Sequence, residues 1–176
     1  MIDTARLSLR KLSPADAPFI VQLLNDPAFV RFIGDRGVRT AGDAEQYILK
    51  GPVSSYEQFG FGLYLVELKE GRAPIGICGL LKRSYLDAVD LGFAFLPRFR
   101  ARGYAFESAS AVLEYARKAF GFDRVLAITT PDNDASIALL TRLGFRFERM
   151  CRASADEPEL RLFATTLPES PVRAGT

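Results

Sequence analysis

The chain has 176 residues, 48% of them hydrophobic, and its 23 basic side chains outnumber its 21 acidic ones by two. This composition fits one globular domain with a sizeable core, and a net charge of +2 does not by itself indicate nucleic-acid binding. The absence of histidine excludes Ser-His-Asp and Cys-His catalysis, histidine zinc sites and histidine as a general base.

The N-terminal part of the sequence predicts a strand followed by helices. Residues 7–12 alternate apolar and polar side chains, as a half-buried strand does. Ser13 is a suitable cap and Pro14 suits the first helical position, so a helix is expected to begin there. The predicted elements are a strand at 7–12, a helix from 14 to about 25, a short helix at 27–32, a helix from Thr40 to Gly51, and a loop at 52–59.

The rest of the sequence predicts three strands and then helices alternating with strands. Gly71 marks a hairpin turn, and Gly144 stands where a left-handed residue ends a helix. The predicted elements are strands at 61–68, 74–81 and 87–95, a helix at 104–119, a strand at 124–129, a helix at 133–143, and strands at 145–150 and about 160–165. This order indicates an α+β domain with a mixed sheet over 1–167, and 168–176 are expected to form a flexible tail.

The sequence gives no sign of a membrane span, a secretory signal or a metal site. No apolar run approaches the length of a membrane span, and residues 1–6 lack the apolar stretch of a signal peptide. Cys78 and Cys151 lack the spacing of a disulfide framework or a metal site, so we expect them in the core. We therefore expect a cytoplasmic protein without a metal, either a monomer or a homodimer.

The segment between the third central strand and the next helix carries the strongest functional signal. Residues 98–105 contain three arginines, then Gly103 and Ala105, directly before the helical pattern. The first amides of a helix have no intrahelical acceptor and lie at the positive end of its dipole, so this segment is suited to bind an anion. Small residues let a phosphate oxygen approach the backbone closely. The alternative interpretation is a solvated, arginine-rich turn.

The same residues match a known pattern. Arg100, Gly103 and Ala105 stand in the places of Arg-x-x-Gly-x-Ala, which resembles the pyrophosphate loop of the GNAT superfamily of acyl-CoA-dependent N-acyltransferases. Residues 92–105 are similar to the strand and loop of its ribosomal-protein N-terminal acetyltransferase branch, and Glu107 occupies an acidic position of that branch.

Three further segments extend the resemblance to about residues 3–165. Asn133 and Ser136, followed by Gly144-Phe145, resemble the branch's N-x-x-S-x-x-L-x-x-K-x-G-F segment, and residues 6–10 and 26–27 resemble its N-terminal elements. Asn133 has an alternative interpretation as a helix cap, and Ser136 as an ordinary polar residue of a first helical turn.

The resemblance implies a single domain whose mixed, mostly antiparallel central sheet is flanked by helices. Two parallel strands of that sheet, at 91–95 and 125–129, would splay apart to hold acetyl-CoA. The strand would pair with the pantetheine arm, the loop would bind the pyrophosphate, and Arg98 or Arg102 would reach the 3′-phosphate. The residues that the resemblance assigns to the cofactor are Phe93, Ala94, Phe95, Arg98, Arg100, Ala101, Arg102, Gly103, Tyr104, Ala105, Asn133 and Ser136.

The resemblance also implies the reaction, which is transfer of acetyl to a primary amine by direct attack in a ternary complex. Ser136 would protonate the leaving thiolate, since no tyrosine follows it in the chain. Without histidine the general base is expected to be a carboxylate, either Asp90 on the cleft strand or Glu67 on the hairpin strand, unless water alone serves. Each carboxylate has an alternative interpretation as an exposed strand residue.

The acceptor, which is either a protein N-terminus or a small amine, would bind in a pocket built by the helical region 25–34, the loop 52–60 and the hairpin loop 84–88. The aromatic candidates for its pocket are Phe29, Phe32, Tyr56 and Phe61, each of which also suits core packing. Two other functions remain open: a CoA-binding regulatory domain without catalysis, and an RNA- or ribosome-binding domain that uses the basic segment from Arg98 to Tyr104. The small net charge argues against the second.

Overall fold

In the computed structural model, which describes residues 1–167, eight strands form one sheet. The spatial order is β1-β2-β3-β4-β5-β6-β8-β7, and every neighbouring pair is antiparallel except β5 and β6. The strands are β1 Ile2–Asp3, β2 Leu7–Lys11, β3 Leu63–Leu68, β4 Pro74–Leu81, β5 Asp90–Phe95, β6 Arg124–Thr129, β7 Arg146–Cys151 and β8 Leu160–Thr166. This confirms the predicted α+β class and the mixed, mostly antiparallel sheet.

Six α-helices occur within the described residues. They are α1 Ala17–Leu24, α2 Pro27–Phe32, α3 Ala41–Ile48, α4 Ser54–Phe59, α5 Tyr104–Phe120 and α6 Asp134–Arg142. In α5 the side chains of Ala109, Val112, Leu113 and Ala116, which recur at helical spacing, are buried. The predicted tail at 168–176 lies outside the described residues.

The predicted loop at 52–59 is wrong. A π-helical turn at Leu49–Val53 continues α3, and α4 follows it directly. Pro52 and Tyr56 are buried, and the Tyr56 hydroxyl accepts a hydrogen bond of 3.1 Å from the Leu12 amide. Leu12 lies just after β2 and is distant from Tyr56 in the chain, so the local Pro and Ser residues do not reveal this contact.

The core lies on both faces of the sheet. Helices α5 and α6 cover one face, where Tyr64, Cys78 and Leu91 pack with Val112 and Leu140. On the other face the side chains of α1, α2 and α3 pack over Leu65 and Ile77, and a smaller cluster around Leu86, Leu126 and Leu162 covers the C-terminal strands. No helix within residues 1–167 is both long and apolar enough to cross a membrane.

Candidate active site

The two parallel strands separate almost as soon as they meet. Asp90 opposite Leu126 is the single paired position between β5 and β6, and the Leu126 amide donates to the Val89 carbonyl at 2.9 Å. Beyond this point the strands diverge towards their carboxyl ends. The resulting V-shaped opening has its vertex at Asp90, and its two arms end at Phe95 and Thr129.

Strand geometry decides which β5 backbone groups face this opening. Successive residues of an extended strand direct their N–H and C=O groups to opposite sides. Because the Val89 carbonyl faces β6 and the Leu96 amide donates to Ile75 on the β4 side at 3.0 Å, Phe93 and Phe95 face the opening. Ala94, which pairs with Ile77 of β4, has its polar groups inside the sheet, so its expected backbone pairing with the cofactor is corrected.

The loop between β5 and α5 has two residues in the left-handed region. Ala101 has φ 57° and Gly103 has φ 81°, and α5 begins at Tyr104. Alternation of left- and right-handed residues turns successive amides towards one point and forms an anion-binding concavity. Within the described chain, none of the amides from Ala101 to Phe106 donates a hydrogen bond to the protein. The first amide of α5 that donates one is that of Glu107, which bonds the Gly103 carbonyl.

The three loop arginines play different roles. Arg98 and Arg102 are exposed and have no carboxylate partner among residues 1–167. The Arg100 guanidinium instead bonds the carboxylate of Asp26 and donates to the Phe95 carbonyl at 2.8 Å. The Arg100 guanidinium is therefore held by Asp26 and Phe95, although its side chain is 40% exposed, so we no longer assign it to the phosphate. No local feature of the sequence indicated this pairing with Asp26.

Asn133 and Ser136 lie at the start of α6, just beyond the carboxyl end of β6. The Asn133 side-chain oxygen accepts the Ser136 amide at 3.2 Å, so Asn133 does cap the helix. Its amide nitrogen and the Ser136 hydroxyl make no hydrogen bond within the described chain, and both side chains are half-buried. Capping therefore leaves these two groups available to a ligand in the opening.

The two candidate bases are both buried and both paired with arginine. Asp90 is 1% exposed, and Arg83 Nε lies 3.0 Å from each of its oxygens. Burial raises the pKa of Asp90 above its ordinary value, because desolvation outweighs the nearby charge of Arg83. Glu67 lies two strands from β5, and Arg10 holds its carboxylate at 2.8 and 3.0 Å. Asp90, at the vertex, is the better-placed of the two.

Most of the aromatic residues predicted for the acceptor belong to the core. Phe29, Tyr56 and Phe61 are 4%, 8% and 4% exposed, so we no longer assign them to an acceptor pocket. Phe32 remains half-buried at the end of α2.

The structure also shows a surface feature that the sequence did not indicate. A shallow pocket of about 400 Å³ opens beside α3, where Arg36, Tyr47 and Lys50 contribute to its lining. Burial raises the pKa of Tyr47, although the charges of Arg36 and Arg83 lower it in part.

Comparison with known proteins agrees with this geometry. Residues 6–146 match the family model described as the acetyltransferase (GNAT) domain. The chain is 29% identical over 147 residues to the uncharacterized N-acetyltransferase YnaD of Bacillus subtilis, covering 84% of this chain and 83% of that protein. Its fold is similar to that of an acetyltransferase from Agrobacterium tumefaciens, with a TM-score of 0.79, 23% identity and coverage of 93% and 92%. It is also similar to RimL, a ribosomal L7/L12 α-N-protein acetyltransferase solved with coenzyme A, with a TM-score of 0.80, 17% identity and coverage of 93% and 96%.

Proposed function

Since this chain belongs to the GNAT acetyltransferase family, we propose that it transfers acetyl from acetyl-CoA to a primary amine by direct attack in a ternary complex. The observation that carries the proposal is the run of unpaired amides from Ala101 to Phe106 at the mouth of the opening between β5 and β6.

The proposed cofactor site uses mainly backbone groups. The amides of the loop and of the first turn of α5 bind the pyrophosphate, whose charge the helix dipole favours. The pantetheine arm pairs with the Phe93 carbonyl and the Phe95 amide, as an added strand would. The Phe95 carbonyl is already bonded to Arg100, so the pairing ends there. Arg98 and Arg102 are the side chains free to reach the 3′-phosphate.

The proposed chemistry needs a neutral amine, a stabilised oxyanion and a proton for the leaving thiolate. The nitrogen forms a bond to the thioester carbon, and the carbon–sulfur bond breaks. The Phe93 amide, which lies nearer the vertex than Phe95, donates to the oxyanion, and the Ser136 hydroxyl protonates the sulfur. Asp90, acting through water, takes the proton from the amine, with Glu67 as the alternative base.

We propose as acceptor the α-amine of a protein N-terminus or of a small molecule. An α-amine, with a pKa of about 7.7–8.0, is partly neutral at pH 7, whereas a lysine amine, with a pKa of about 10.4, is almost wholly charged. An α-amine therefore needs only a weak base, which suits an active site without histidine. The likeness of the fold to RimL supports the ribosomal-protein branch as the first class of peptide to screen.

Thermal unfolding with and without acetyl-CoA tests the cofactor. A ligand at 100 times its Kd stabilises the folded state by about 2.7 kcal/mol, which raises the Tm of a domain of this size by about 5–10 °C. If Tm rises, release of CoA is then measured against N-terminal peptides and small amines. A Tm that does not change refutes the proposed site, and binding without amine-dependent CoA release favours the CoA-binding domain without catalysis.

Replacement of Gly103 by aspartate tests the loop itself. The carboxylate would stand beside the unpaired amides, so we expect Gly103→Asp to weaken acetyl-CoA binding by about 100-fold or more, equivalent to about 2.7 kcal/mol. Gly121→Asp is the matched control, because Gly121 is also left-handed, with φ 68°, and ends α5 in open space. Equal affinity in the two variants, measured by calorimetry, would contradict the assignment of the loop.

A further inference from the structure

The N-terminal segment packs against the outside of the loop that binds the anion in the proposed function. Arg6 Nη1 donates to the Arg102 carbonyl at 3.1 Å, and the guanidinium lies over the Tyr104 ring, 4.5 Å from its centroid. Arg6 Nε and the Arg6 amide donate to the two oxygens of Glu107 at 2.7 and 2.9 Å. Arg6 therefore contacts the end of the loop and the first turn of α5 together.

Arg6 also packs directly against the left-handed glycine of the loop. A Cβ atom placed on Gly103 would lie 3.2 Å from Arg6 Nη2. Residues in the left-handed region cost free energy unless the surrounding structure holds them there, and Ala101, as a non-glycine residue, carries such a cost. The contacts of Arg6 with Arg102 and Gly103 help to hold this part of the loop in its conformation.

The charge of Arg6 is not its main contribution. Burial alone raises the pKa of Glu107, but the hydrogen bonds from Thr4 and Arg6 outweigh burial and hold that pKa below its ordinary value. Glu107 is therefore ionised at neutral pH and neutralises Arg6. Because the charge of Arg6 is neutralised by Glu107, Arg6 adds little attraction for a phosphate. Its contribution to cofactor binding therefore comes from the geometry of its contacts with the loop.

We propose that Arg6 is a positioning residue for acetyl-CoA, which holds Arg102 and Gly103 in the conformation that directs the loop amides at the pyrophosphate. The inference rests on the proposed function, because it requires that the loop bind the pyrophosphate. Arg6 acts through the loop backbone, so its effect is confined to cosubstrates that carry a pyrophosphate.

The test compares acetyl-CoA with acetyl-pantetheine, which has the thioester and the arm but no pyrophosphate. We expect Arg6→Gln to raise KM for acetyl-CoA about tenfold, the factor that 1.4 kcal/mol represents, with kcat retained. We expect kcat/KM for acetyl-pantetheine to stay within about twofold of wild type. Arg6→Lys keeps the charge but not the planar fork of donors, so it should resemble Arg6→Gln.

Arg124→Gln is the matched control, because Arg124 lies on β6, away from the loop between β5 and α5. Like Arg6, Arg124 is paired with carboxylates: it bonds Glu148 at 2.8 Å and Asp87 at 3.1 Å. It should leave the ratio of the two cosubstrates unchanged. If Arg6→Gln does not fold, Glu107→Gln weakens the ion pair that holds Arg6 against the first turn of α5 and should give a selective loss of the same kind.

Three outcomes overturn the proposal. One is an unchanged KM for acetyl-CoA in Arg6→Gln, and another is an equal loss with both cosubstrates, which would indicate general damage to the fold. The third is wild-type behaviour of Arg6→Lys, which would assign the effect to charge. A wild-type protein that binds no acetyl-CoA fails at an earlier step and overturns the proposed function as well.

Discussion

The ion pair between Asp26 and Arg100 makes the sharpest prediction about how the loop between β5 and α5 is held. Asp26 caps α2 by accepting the Phe29 amide at 3.2 Å, and its side chain is 7% exposed, whereas that of Arg100 is 40% exposed. Arg100→Met removes the guanidinium and leaves the Asp26 carboxylate without its counter-ion. The Phe95 carbonyl loses a donor in the same variant.

The magnitude follows from the burial of the two partners. Breaking a fully buried pair costs about 3–5 kcal/mol, and an exposed pair contributes about 0.2–1 kcal/mol. Since water can reach Asp26 from the Arg100 side, we expect Arg100→Met to lower the free energy of unfolding by about 2 kcal/mol, which is about 4–8 °C in Tm. Asp26→Asn keeps an oxygen for the Phe29 amide and should cost about 1 kcal/mol.

A double-mutant cycle isolates the pair. The double variant should be more stable than the sum of the single losses implies, by a coupling energy of about 1 kcal/mol. Urea unfolding measures the four stabilities, and titration with acetyl-CoA measures the four affinities. Because Arg100 is expected to shape the loop rather than touch the phosphate, Asp26→Asn and Arg100→Met should weaken binding to a similar extent. Additive stabilities, or an affinity lost only in Arg100→Met, would refute this reasoning.

Three further substitutions test other parts of the site. Ala101→Gly should raise the free energy of unfolding by about 0.5 kcal/mol. The substitution relieves about 1–2 kcal/mol of left-handed strain in the folded state, and the greater entropy of the unfolded glycine chain offsets about 0.5–1 kcal/mol of this gain. Urea unfolding measures the change, and a clear loss of stability would contradict it. Ser136→Ala should lower kcat by about 100-fold with little change in acetyl-CoA affinity, and a wild-type turnover would exclude the acid role. Because the pKa of Asp90 is raised in the folded state, protonation of Asp90 stabilises the fold and its ionisation destabilises it. The stabilising contribution of protonated Asp90 is complete below its ordinary pKa of 3.8 and is lost as pH rises through its pKa in the folded state. Wild-type stability, measured by urea unfolding between pH 4 and 7, should therefore fall relative to that of Asp90→Asn as pH rises, and parallel curves would contradict the shift.

The secondary structure followed the sequence closely wherever the signal was local. The helical spacing of Ala109, Val112 and Ala116 defined the buried face of α5, and Asn133 indicated the start of α6. The strands β3 and β4 followed from apolar runs around a glycine turn. The region 52–59 was misread because α4 is anchored by the burial of Tyr56 against Leu12, a contact between residues distant in the chain.

The site was predictable to the extent that its chemistry is local. A loop of arginines and small residues at a helix start indicates an anion site, because unpaired amides and the helix dipole depend on a few consecutive residues. The roles of Ala94 and Arg100 were not accessible in this way. The alternation of β5 is fixed by its pairing with β4, and Asp26 reaches Arg100 only after α2 folds onto the sheet.

The sequence by itself therefore determined the fold class, the position of the loop that precedes α5 and the residues at the start of α6, because each is encoded by neighbouring residues. Tertiary structure decided which backbone groups of β5 remain free, which aromatic residues are core, and which arginines keep their charge available to a ligand. Each of these depends on contacts between residues far apart in the chain, such as Arg6 with Glu107 and Arg83 with Asp90. Burial and pairing of this kind arise only when the sheet and its helices are assembled.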